Sequence, residues 1–336
     1  MIGIAVCGLG NWGWNVLRSF AGAPQGQLLY ACDLNESLRK KAAAAFPKAQ
    51  AVAELDQALR DPAVQAVALA VDAPAHFRLA LRCLEAGKHV YVEKPLTLRA
   101  ADAQELVALA KARDLRLMVG HLLLYHPAVL YMRQRIDAGE IEPSYLYCQR
   151  LNLGVVRQTE NAWWSLAPHD VSVACHLLGG EPVSVSATGK AFLQPGVEDV
   201  VFATIAFDNG RLAHVHVSWL DPHKVRQVTV VGAKRMMVFD DMQGAEKVRV
   251  YDKGVDFKPG VADYAQAMTL RAGDIHIPSI PAAEPLMLEA RHFIDCVASG
   301  ATPLTDGVNG LRVVRVLEAG AASLREGGRP IPIQGA

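Results

Sequence analysis

Residues 8–13, read as GLGNWG, follow the apolar run Gly3–Cys7 directly and open a helical segment. In a G-x-G-x-x-G turn, the first glycine permits a tight turn and the second lets backbone N–H groups approach a pyrophosphate. The third glycine permits close packing of helix on strand, and the helix N-terminus favours the phosphate charge. The stretch therefore predicts a dinucleotide-binding domain, with a purely structural glycine-rich turn as the alternative.

Strand-like and helix-like runs alternate on both sides of this turn. The strand-like runs are Gly3–Cys7, Gln27–Cys32, Ala66–Val71, His89–Val92 and Arg116–Val119. The helical segments between them are Trp14–Phe20, Leu38–Ala45, Leu55–Leu59, Ala75–Ala86 and Ala101–Arg113. This alternation predicts a doubly wound parallel sheet with helices on both faces, that is, an α/β Rossmann domain.

The second part of the chain has a different pattern. Two helices are expected between His121 and Gly180, and from Val183 onward the apolar residues alternate with a period of two, as in strands. Asp208–Gly210 (DNG) predicts a hairpin, and a second turn is expected at Gly232-Ala233. We therefore expect a Rossmann domain over 1–121 and an α+β domain with an open, mainly antiparallel sheet over 122–336. Gly254–Pro281 is expected to be a long loop before terminal helices.

Composition excludes several classes of function. The 336 residues carry 34 basic and 34 acidic side chains without a basic stripe, which argues against nucleic acid or an anionic membrane as partner. No apolar run approaches the roughly 18 residues of a membrane span. The six cysteines are scattered, as in a reduced cytoplasmic protein. His214 and His216 share a strand face but lack a third ligand nearby, so no metal site is expected.

The choice of cofactor is indicated by Asp33, which ends the second strand-like run about 20 residues after the glycine turn. Its carboxylate can accept hydrogen bonds from an adenosine ribose and would repel a 2′-phosphate. NAD is therefore expected. The nearby basic residues Arg39, Lys40 and Lys41 keep NADP as the less favoured alternative.

Candidate ligand-binding residues also lie at the ends of other strands of the predicted sheet. Ala70 is near the end of the run Ala66–Val71, Pro74 and His76 follow that run, and Glu93-Lys94-Pro95 follows His89–Val92. Because the carboxyl ends of parallel strands form the ligand crevice, these residues are expected to line the cofactor site. The alternatives are a helix-start turn at Pro74 and a surface salt bridge between Glu93 and Lys94.

At this point the chain resembles the Gfo/Idh/MocA oxidoreductases (glucose–fructose oxidoreductase, inositol dehydrogenase and rhizopine-catabolism proteins). The resemblance rests on GLGNWG, Asp33, APAHF, EKPLTL and the strand-rich second half, and so covers nearly the whole chain. It implies that Lys94 binds substrate and nicotinamide and assists proton transfer. It also implies that Glu93 contacts the cofactor ribose and that Pro95, often cis, shapes the turn. Burial beside a cationic nicotinamide is expected to lower the pKa of Lys94 from about 10.4 toward 7–8.

A second catalytic residue is implied in NAWWSLAPHDVSVACHLLGG. The family pattern has an Asp, three residues and then a His on a helix; His169 occupies the histidine position and Ser165 stands in place of the Asp. His169 is therefore expected to act alone or with Asp170. With a reference pKa of about 6.5, it can take a hydroxyl proton near neutral pH. For His176, a packing role is the preferred interpretation.

The remaining expected contacts are less specific. Arg150 and Arg157 are equally consistent with a clamp for an anionic substrate group and with solvated strand-end charges. Leu124 stands where many family members have an arginine. The expected cofactor-binding residues are Gly8, Gly10, Asn11, Trp12, Gly13, Asp33, Leu34, Ala70, Pro74, His76, Glu93, Lys94, His121 and Trp164. The expected substrate-binding residues are Lys94, Tyr125, Arg150, Arg157, His169 and Asp170, of which Lys94 and His169 are catalytic.

The resemblance implies NAD-dependent oxidation of a secondary alcohol on a sugar-like ring. The segments GHLLLYHPA, NLGVVR and WSLAPHDVS are similar to the branch that acts on nucleotide-linked sugars, such as UDP-N-acetylhexosamine 3-dehydrogenases. A keto-sugar or imine reductase is the first alternative, and a non-catalytic NAD(H)-sensing regulator is the second. A homodimer or homotetramer formed through the C-terminal sheet is also implied.

Overall fold

The computed structural model describes residues 1–257 and 268–335. The chain divides into two compact units. The first unit comprises Met1–Tyr125 and Ala283–Arg315, and the second comprises His126–Ala282 and Val316–Ala336. Among the described residues, no helix combines the length and apolar character that a membrane crossing requires.

The first unit is built on a six-stranded sheet with the order β3-β2-β1-β4-β5-β6, and every neighbouring pair is parallel. Its strands are β1 (Ile2–Cys7), β2 (Gly26–Cys32), β3 (Gln50–Val52), β4 (Ala66–Leu69), β5 (His89–Glu93) and β6 (Leu117–Gly120). The expected doubly wound parallel sheet is confirmed. The short strand β3 lies outside the predicted runs because three residues at a sheet edge leave little apolar pattern.

Helices cover both faces of this sheet. They are α1 (Asn11–Ala21), α2 (Glu36–Ala45), α3 (Leu55–Arg60), α4 (His76–Glu85) and α5 (Ala100–Ala112). Leu79, Ala80 and Leu84 of α4 pack with α5 on one face, and Val16, Leu17 and Phe20 of α1 pack on the other. This strand and helix arrangement brings the carboxyl ends of all six strands to one edge of the sheet.

A segment from late in the chain completes the first unit. Helix α8 (Pro285–Ser299) brings Phe293 against Phe20 of α1 and Tyr91 of β5, with ring centroids 5.9 and 6.1 Å apart. Burying one such phenylalanine contributes about 1.5–3 kcal/mol. The first compact unit therefore includes Ala283–Arg315, a segment that a division of the chain at residue 121 assigns to the second domain. The aromatic contacts of Phe293 hold this segment in the first unit.

The second unit is built on a nine-stranded sheet with the order β14-β13-β12-β11-β7-β10-β9-β8-β15. Its strands are β7 (Pro143–Leu153), β8 (Pro182–Lys190), β9 (Val200–Phe207), β10 (Leu212–Ser218), β11 (Leu220–Gly232), β12 (Met236–Asp240), β13 (Val248–Phe257), β14 (Met268–His276) and β15 (Ile331–Pro332). Neighbours are antiparallel except β7 and β10, which confirms the mainly antiparallel sheet. The DNG hairpin is confirmed, since β9 and β10 flank Gly210, whose φ is +78°.

The predicted loop over Gly254–Pro281 is wrong for residues 254–257 and 268–276, which are strands, whereas residues 277–281 lie outside any helix or strand. Strand β13 continues to Phe257 and pairs with β14, and the Val255 N–H donates to the Ala233 carbonyl at 3.0 Å. Among the described strands, β14 pairs with β13 alone and is almost wholly exposed, and its short alternation of Met268, Leu270 and Ala272 lies in a segment with several Gly and Pro residues. The part of the predicted loop over 258–267 lies outside the described residues.

Helices α6 (Pro127–Asp137), α7 (Ala162–Leu178) and α9 (Gly307–Arg325) complete the architecture. His126 caps α6, because its Nδ1 accepts the Ala128 N–H at 3.1 Å. Helix α7 lies against β7 and β10 of the second unit. The two helices expected between His121 and Gly180 are confirmed, but strand β7 between them was not predicted.

Candidate active site

The glycine turn joins β1 to α1 and has the backbone geometry that the sequence suggested. Gly8 has a φ of +93°, and a Cβ there would lie 2.3 Å from the Ala70 carbonyl oxygen. A Cβ on Gly13 would lie 2.1 Å from the Gly8 carbonyl oxygen, whereas a Cβ on Gly10 would meet nothing within 4 Å. No side chain caps the N-terminus of α1. Open space and uncapped N–H groups at a helix N-terminus fit a pyrophosphate.

The carboxylate of Asp33 lies beside this turn. Its Oδ2 accepts the Leu9 N–H at 2.7 Å, and its Oδ1 accepts the Asn35 N–H at 2.8 Å. Each carboxylate oxygen has a further lone pair, so the group can still accept hydroxyl hydrogen bonds. Arg39 Nη1 donates to the backbone carbonyls of Asp33 and Leu34, at 2.8 Å each. The arrangement fits an adenosine ribose next to the pyrophosphate turn.

His76 has a different surrounding from the one expected. The side chain is fully buried at the start of α4; its Nδ1 lies 2.7 Å from the Pro95 carbonyl oxygen and its Nε2 lies 3.0 Å from the Val71 carbonyl oxygen. Burial lowers the pKa of the ring. Since both nitrogens face protein carbonyls, His76 links the turns after β4 and β5 and does not offer its ring nitrogens to a ligand.

The Glu-Lys-Pro turn follows β5 at the same edge of the sheet, and the Lys94–Pro95 peptide bond is cis. The Glu93 carboxylate is buried and accepts hydrogen bonds from the Tyr91 hydroxyl at 3.0 Å and the Lys94 N–H at 3.2 Å. Burial raises the pKa of Glu93, and the Trp12 indole of the glycine turn and the Lys94 charge oppose that rise.

His121 follows β6, the neighbour of β5. The side chain is buried, and neither ring nitrogen has a hydrogen-bond partner within the described ranges. Burial and the nearby Lys94 charge lower the pKa of His121 to about 3, so the imidazole is neutral at physiological pH. A buried, unsatisfied imidazole next to Lys94 is a group that a ligand can satisfy.

Tyr125 was expected to contact substrate, but its hydroxyl lies inside the first unit. It is 3.1 Å from Thr305 Oγ1, and the residue is 5% exposed. Pro74 and Ala70 lie after β4 as expected, with Pro74 in the short 3-10 turn Ala73–Ala75. Leu34 is exposed beside Asp33.

In the second unit, the two charged candidates pair with each other. Arg150 of β7 donates from Nε to Asp170 Oδ2 at 2.7 Å and from Nη2 to Asp170 Oδ1 at 3.0 Å. The side chains are 12% and 1% exposed. Such a bidentate pair satisfies both groups. The structure therefore provides neither a free anion clamp at Arg150 nor a free carboxylate at Asp170 to assist His169.

The remaining candidates of the second unit lie on α7 or in the segment before it. His169 is half-buried on α7, one helical turn after Ser165, and Trp164 is half-buried at the start of the helix. Trp163 is core, because it is fully buried and its indole N–H donates to the Leu317 carbonyl at 2.9 Å. Arg157 is exposed. No cluster of three potential metal ligands occurs in the described part of the chain.

Two residues around the Glu-Lys-Pro turn were missed at the sequence level: Tyr91 and Glu289. Tyr91 has a hydroxyl within the apolar strand HVYVE, and Glu289 lies on the buried face of α8 with Leu286, Ala290 and Phe293. The sequence did contain a signal for Glu289, because it occupies one position of an i, i+3, i+4, i+7 pattern whose other members are apolar, and such a pattern indicates a buried helix face.

Comparisons with known proteins agree with this geometry. Residues 2–121 match a family model described as "Oxidoreductase family, NAD-binding Rossmann fold", and residues 129–238 match the "GFO/IDH/MocA C-terminal domain". The chain belongs to the GFO/IDH/MocA family. The protein is therefore an oxidoreductase with a dinucleotide-binding domain for a nicotinamide cofactor.

Relatives of this GFO/IDH/MocA member have named activities. The UDP-N-acetylglucosamine 3-dehydrogenase of Acidithiobacillus ferrooxidans is 29% identical over 313 residues, covering 92% of this chain and 93% of the relative. A solved structure of that enzyme matches with a TM-score of 0.82 at 26% identity, covering 98% of this chain and 100% of that chain.

Two inositol dehydrogenases of Bacillus subtilis differ in their named cofactor. The scyllo-inositol 2-dehydrogenase (NAD(+)) is 27% identical, covering 83% of this chain and 80% of the relative. The scyllo-inositol 2-dehydrogenase (NADP(+)) IolW is 26% identical, covering 84% and 82%. Both cofactors thus occur among relatives of similar distance.

Proposed function

We propose that the protein is a NAD-dependent dehydrogenase that moves a hydride between a secondary alcohol of a sugar or nucleotide sugar and nicotinamide. The observation that supports this most strongly is the Glu93–Pro95 turn at the carboxyl end of β5, at the same edge of the sheet as the glycine turn after β1. One edge of one parallel sheet therefore combines a pyrophosphate cradle, a ribose acceptor and an amine.

The preference for NAD over NADP is proposed from Asp33. A carboxylate fixed by the Leu9 and Asn35 N–H groups keeps its negative charge beside the turn, where it accepts ribose hydroxyls and repels a 2′-phosphate. Arg39 is the cation that would favour NADP, but its Nη1 bonds the carbonyls of Asp33 and Leu34. Gly8, Gly10, Asn11, Trp12 and Gly13 form the proposed pyrophosphate contacts.

When bound, nicotinamide supplies the hydride acceptor or donor. Lys94 is proposed to take the proton from the alcohol oxygen in the oxidative direction and to return it in the reductive direction. Glu93, which accepts hydrogen bonds from the Tyr91 hydroxyl and the Lys94 N–H, is proposed to orient the ribose. The neutral imidazole of His121 is proposed to complete the pocket next to Lys94, and His169 on α7 is the proposed second proton-handling group.

The substrate class is proposed from the relatives. The names UDP-N-acetylglucosamine 3-dehydrogenase and scyllo-inositol 2-dehydrogenase both describe oxidation of a ring hydroxyl. Cyclic polyols and sugars share the secondary alcohol that a lysine base next to a hydride acceptor needs. A UDP-N-acetylhexosamine oxidised at C3 is the proposed substrate within this class.

A homo-oligomer formed through the second sheet is also proposed. Tyr145, Tyr147, Phe202 and Leu212 lie on one face by strand register, and each is at least one-third exposed. An exposed apolar face on a sheet is suited to cover by a second copy. Sedimentation of the Tyr147→Asp/Phe202→Asp variant tests this, since the account expects dissociation to monomers and an unchanged assembly contradicts it.

The test of function is a substrate panel. Purified protein is incubated with NAD or NADP and with inositols, free sugars and UDP-linked sugars while the absorbance of reduced nicotinamide is followed. The proposal expects turnover with NAD and highest kcat/KM for a UDP-N-acetylhexosamine. Turnover only when reduced cofactor is mixed with a keto-sugar would indicate a reductase. Tight NAD binding with no turnover in either direction would indicate a sensor and overturn the proposal.

A further inference from the structure

The hydroxyl of Tyr91 lies between two buried carboxyl groups. Its oxygen is 3.0 Å from Glu93 Oε1 and 3.1 Å from Glu289 Oε2. Tyr91 and Glu93 are two residues apart on β5, and Glu289 reaches them from α8. Tyr91 and Glu289 are fully buried and Glu93 nearly so. Both separations are hydrogen-bond distances, so the three groups form a chain.

The number of protons in this chain is constrained by chemistry. A phenol has one O–H and an ionised carboxylate only accepts. If both carboxyl groups were ionised, the Tyr91 hydroxyl could donate its one proton to only one of them. The hydroxyl oxygen and the oxygen of the other carboxylate would then face each other at about 3 Å with lone pairs and no proton between them. A second proton must therefore reside on one of the two carboxyl groups.

The surroundings assign that proton to Glu289. Glu93 also accepts a hydrogen bond from the Lys94 N–H and lies near the Lys94 charge, and both favour its ionised form. Within the described residues, the polar groups that interact with Glu289 are Tyr91, Tyr125 and the negatively charged Glu93. Burial and that negative charge raise the pKa of Glu289 well above its usual range.

The second oxygen of Glu289 agrees with this assignment. Glu289 Oε1 is buried and, among the described residues, has no hydrogen-bond partner. An unpaired carbonyl oxygen of a neutral acid costs much less free energy than an unpaired carboxylate oxygen. A protonated Glu289 would donate from Oε2 to Tyr91, and Tyr91 would then direct its single proton to Glu93.

We propose that Glu289 is a neutral carboxylic acid in the folded protein, and that Glu289 and Tyr91 are positioning residues for the Glu93 carboxylate. Glu289 donates a hydrogen bond to Tyr91, and Tyr91 donates to the ionised Glu93, where the chain of hydrogen bonds ends. The expected effect on cofactor binding rests on the proposed contact between Glu93 and the ribose, whereas the protonation of Glu289 does not depend on that contact.

Strand β6 fixes the chain in place. A Cβ added at Gly120 would lie 2.6 Å from the Tyr91 hydroxyl oxygen and 3.1 Å from Glu93 Cδ. Because Gly120 has no side chain, the Tyr91 phenol and the Glu93 carboxylate can pack against its backbone. This close packing leaves the two side chains little space to adopt another rotamer. Glu93 is held by hydrogen bonds on one side and by backbone on the other.

Infrared difference spectroscopy in heavy water at neutral pH tests whether Glu289 is protonated, by comparison of the wild type with the Glu289→Gln variant. The expected difference spectrum contains the C=O band of one protonated carboxylic acid that the variant lacks. Loss of carboxylate bands, with no carboxylic acid band, would show that Glu289 is ionised and overturn the assignment. This result does not depend on substrate or cofactor.

The positioning role is tested by NAD binding to Tyr91→Phe. Removing a donor to a charged acceptor is expected to raise the NAD dissociation constant about ten-fold. Tyr30→Phe is the matched control, because the Tyr30 hydroxyl donates to the Asp61 carboxylate at 2.9 Å elsewhere in the same sheet, and it should leave NAD binding unchanged. Equal NAD dissociation constants for Tyr91→Phe and Tyr30→Phe would overturn the positioning role. If the acid band is nevertheless present, the contact of Glu93 with ribose is the part that fails.

Discussion

Two regions of the molecule bury carboxylates in opposite ways. In the second unit, Asp170 is neutralised by a bidentate bond from Arg150. In the first unit, Glu93 accepts hydrogen bonds from two neutral donors, the Tyr91 hydroxyl and the Lys94 N–H. At the sequence level both regions were candidates for ligand contact. The arrangement in the second unit is closed, because the two charges neutralise each other and both side chains are almost fully buried.

The difference indicates that the ion pair in the second unit has a structural role, whereas the Glu93 carboxylate is suited to contact a ligand. A buried ion pair satisfies its own charges and contributes to how β7 and α7 fit together. A carboxylate held by a tyrosine hydroxyl and a backbone N–H keeps lone pairs that can accept the hydroxyl groups of a ligand.

Replacing Lys94 by Met should reduce kcat by about 100- to 10,000-fold, since Met keeps the apolar stem but cannot take the alcohol proton. NAD binding should change little because the Glu93 and Asp33 contacts remain. Steady-state kinetics with the best substrate of the panel, together with NAD titration, measures both. Retention of more than about a tenth of the wild-type kcat, a loss under ~1.4 kcal/mol, contradicts a catalytic role for Lys94.

Replacing Arg150 by Met should lower the free energy of unfolding by about 3–5 kcal/mol, because Asp170 is then buried without a partner. The double variant Arg150→Met/Asp170→Leu should recover most of this loss. The control is Arg82→Met, whose partner Asp56 is partly exposed, and it should cost no more than about 1 kcal/mol. Urea unfolding compares the three, and equal losses for Arg150→Met and Arg82→Met would argue against an architectural ion pair.

Replacing Asp33 by Asn should weaken NAD binding about ten-fold, or ~1.4 kcal/mol, and improve NADP binding relative to NAD. The amide keeps an acceptor for the Leu9 N–H but loses the charge that repels a 2′-phosphate. The ratio of the two dissociation constants is the measurement. An unchanged ratio would assign cofactor choice to another residue, with Arg39 as the next candidate.

Much of the first unit was predictable because its signals are local in sequence. Gly8 and Gly13 permit backbone contacts that a Cβ would block, and each of the five predicted strand-like runs overlaps a strand of the observed sheet. The Glu-Lys-Pro turn was placed by its position after β5 alone. Strand β14 was missed because its short alternation of Met268, Leu270 and Ala272 stands in a segment with several Gly and Pro residues, which favoured a loop.

What the sequence did not reveal depends on contacts between distant residues. Arg150 meets Asp170 only once β7 and α7 have packed, and Tyr91 meets Glu289 across 198 positions of sequence. His76 was expected in the cofactor site, but only the structure shows that both its ring nitrogens face backbone carbonyls. The sequence shows which side chains are polar, but only the folded structure shows which group each of them hydrogen-bonds.

The central claim, hydride transfer at the edge that holds Lys94, is tested most directly by isotope transfer. The best sugar of the panel, deuterated at the carbon that bears the reacting hydroxyl, is incubated with NAD and either wild-type protein or Lys94→Met. The account predicts deuterium in the reduced dinucleotide with wild type and almost none with the variant, although both bind NAD. Absence of deuterium in the dinucleotide with wild type, or equal transfer by the two proteins, would contradict it.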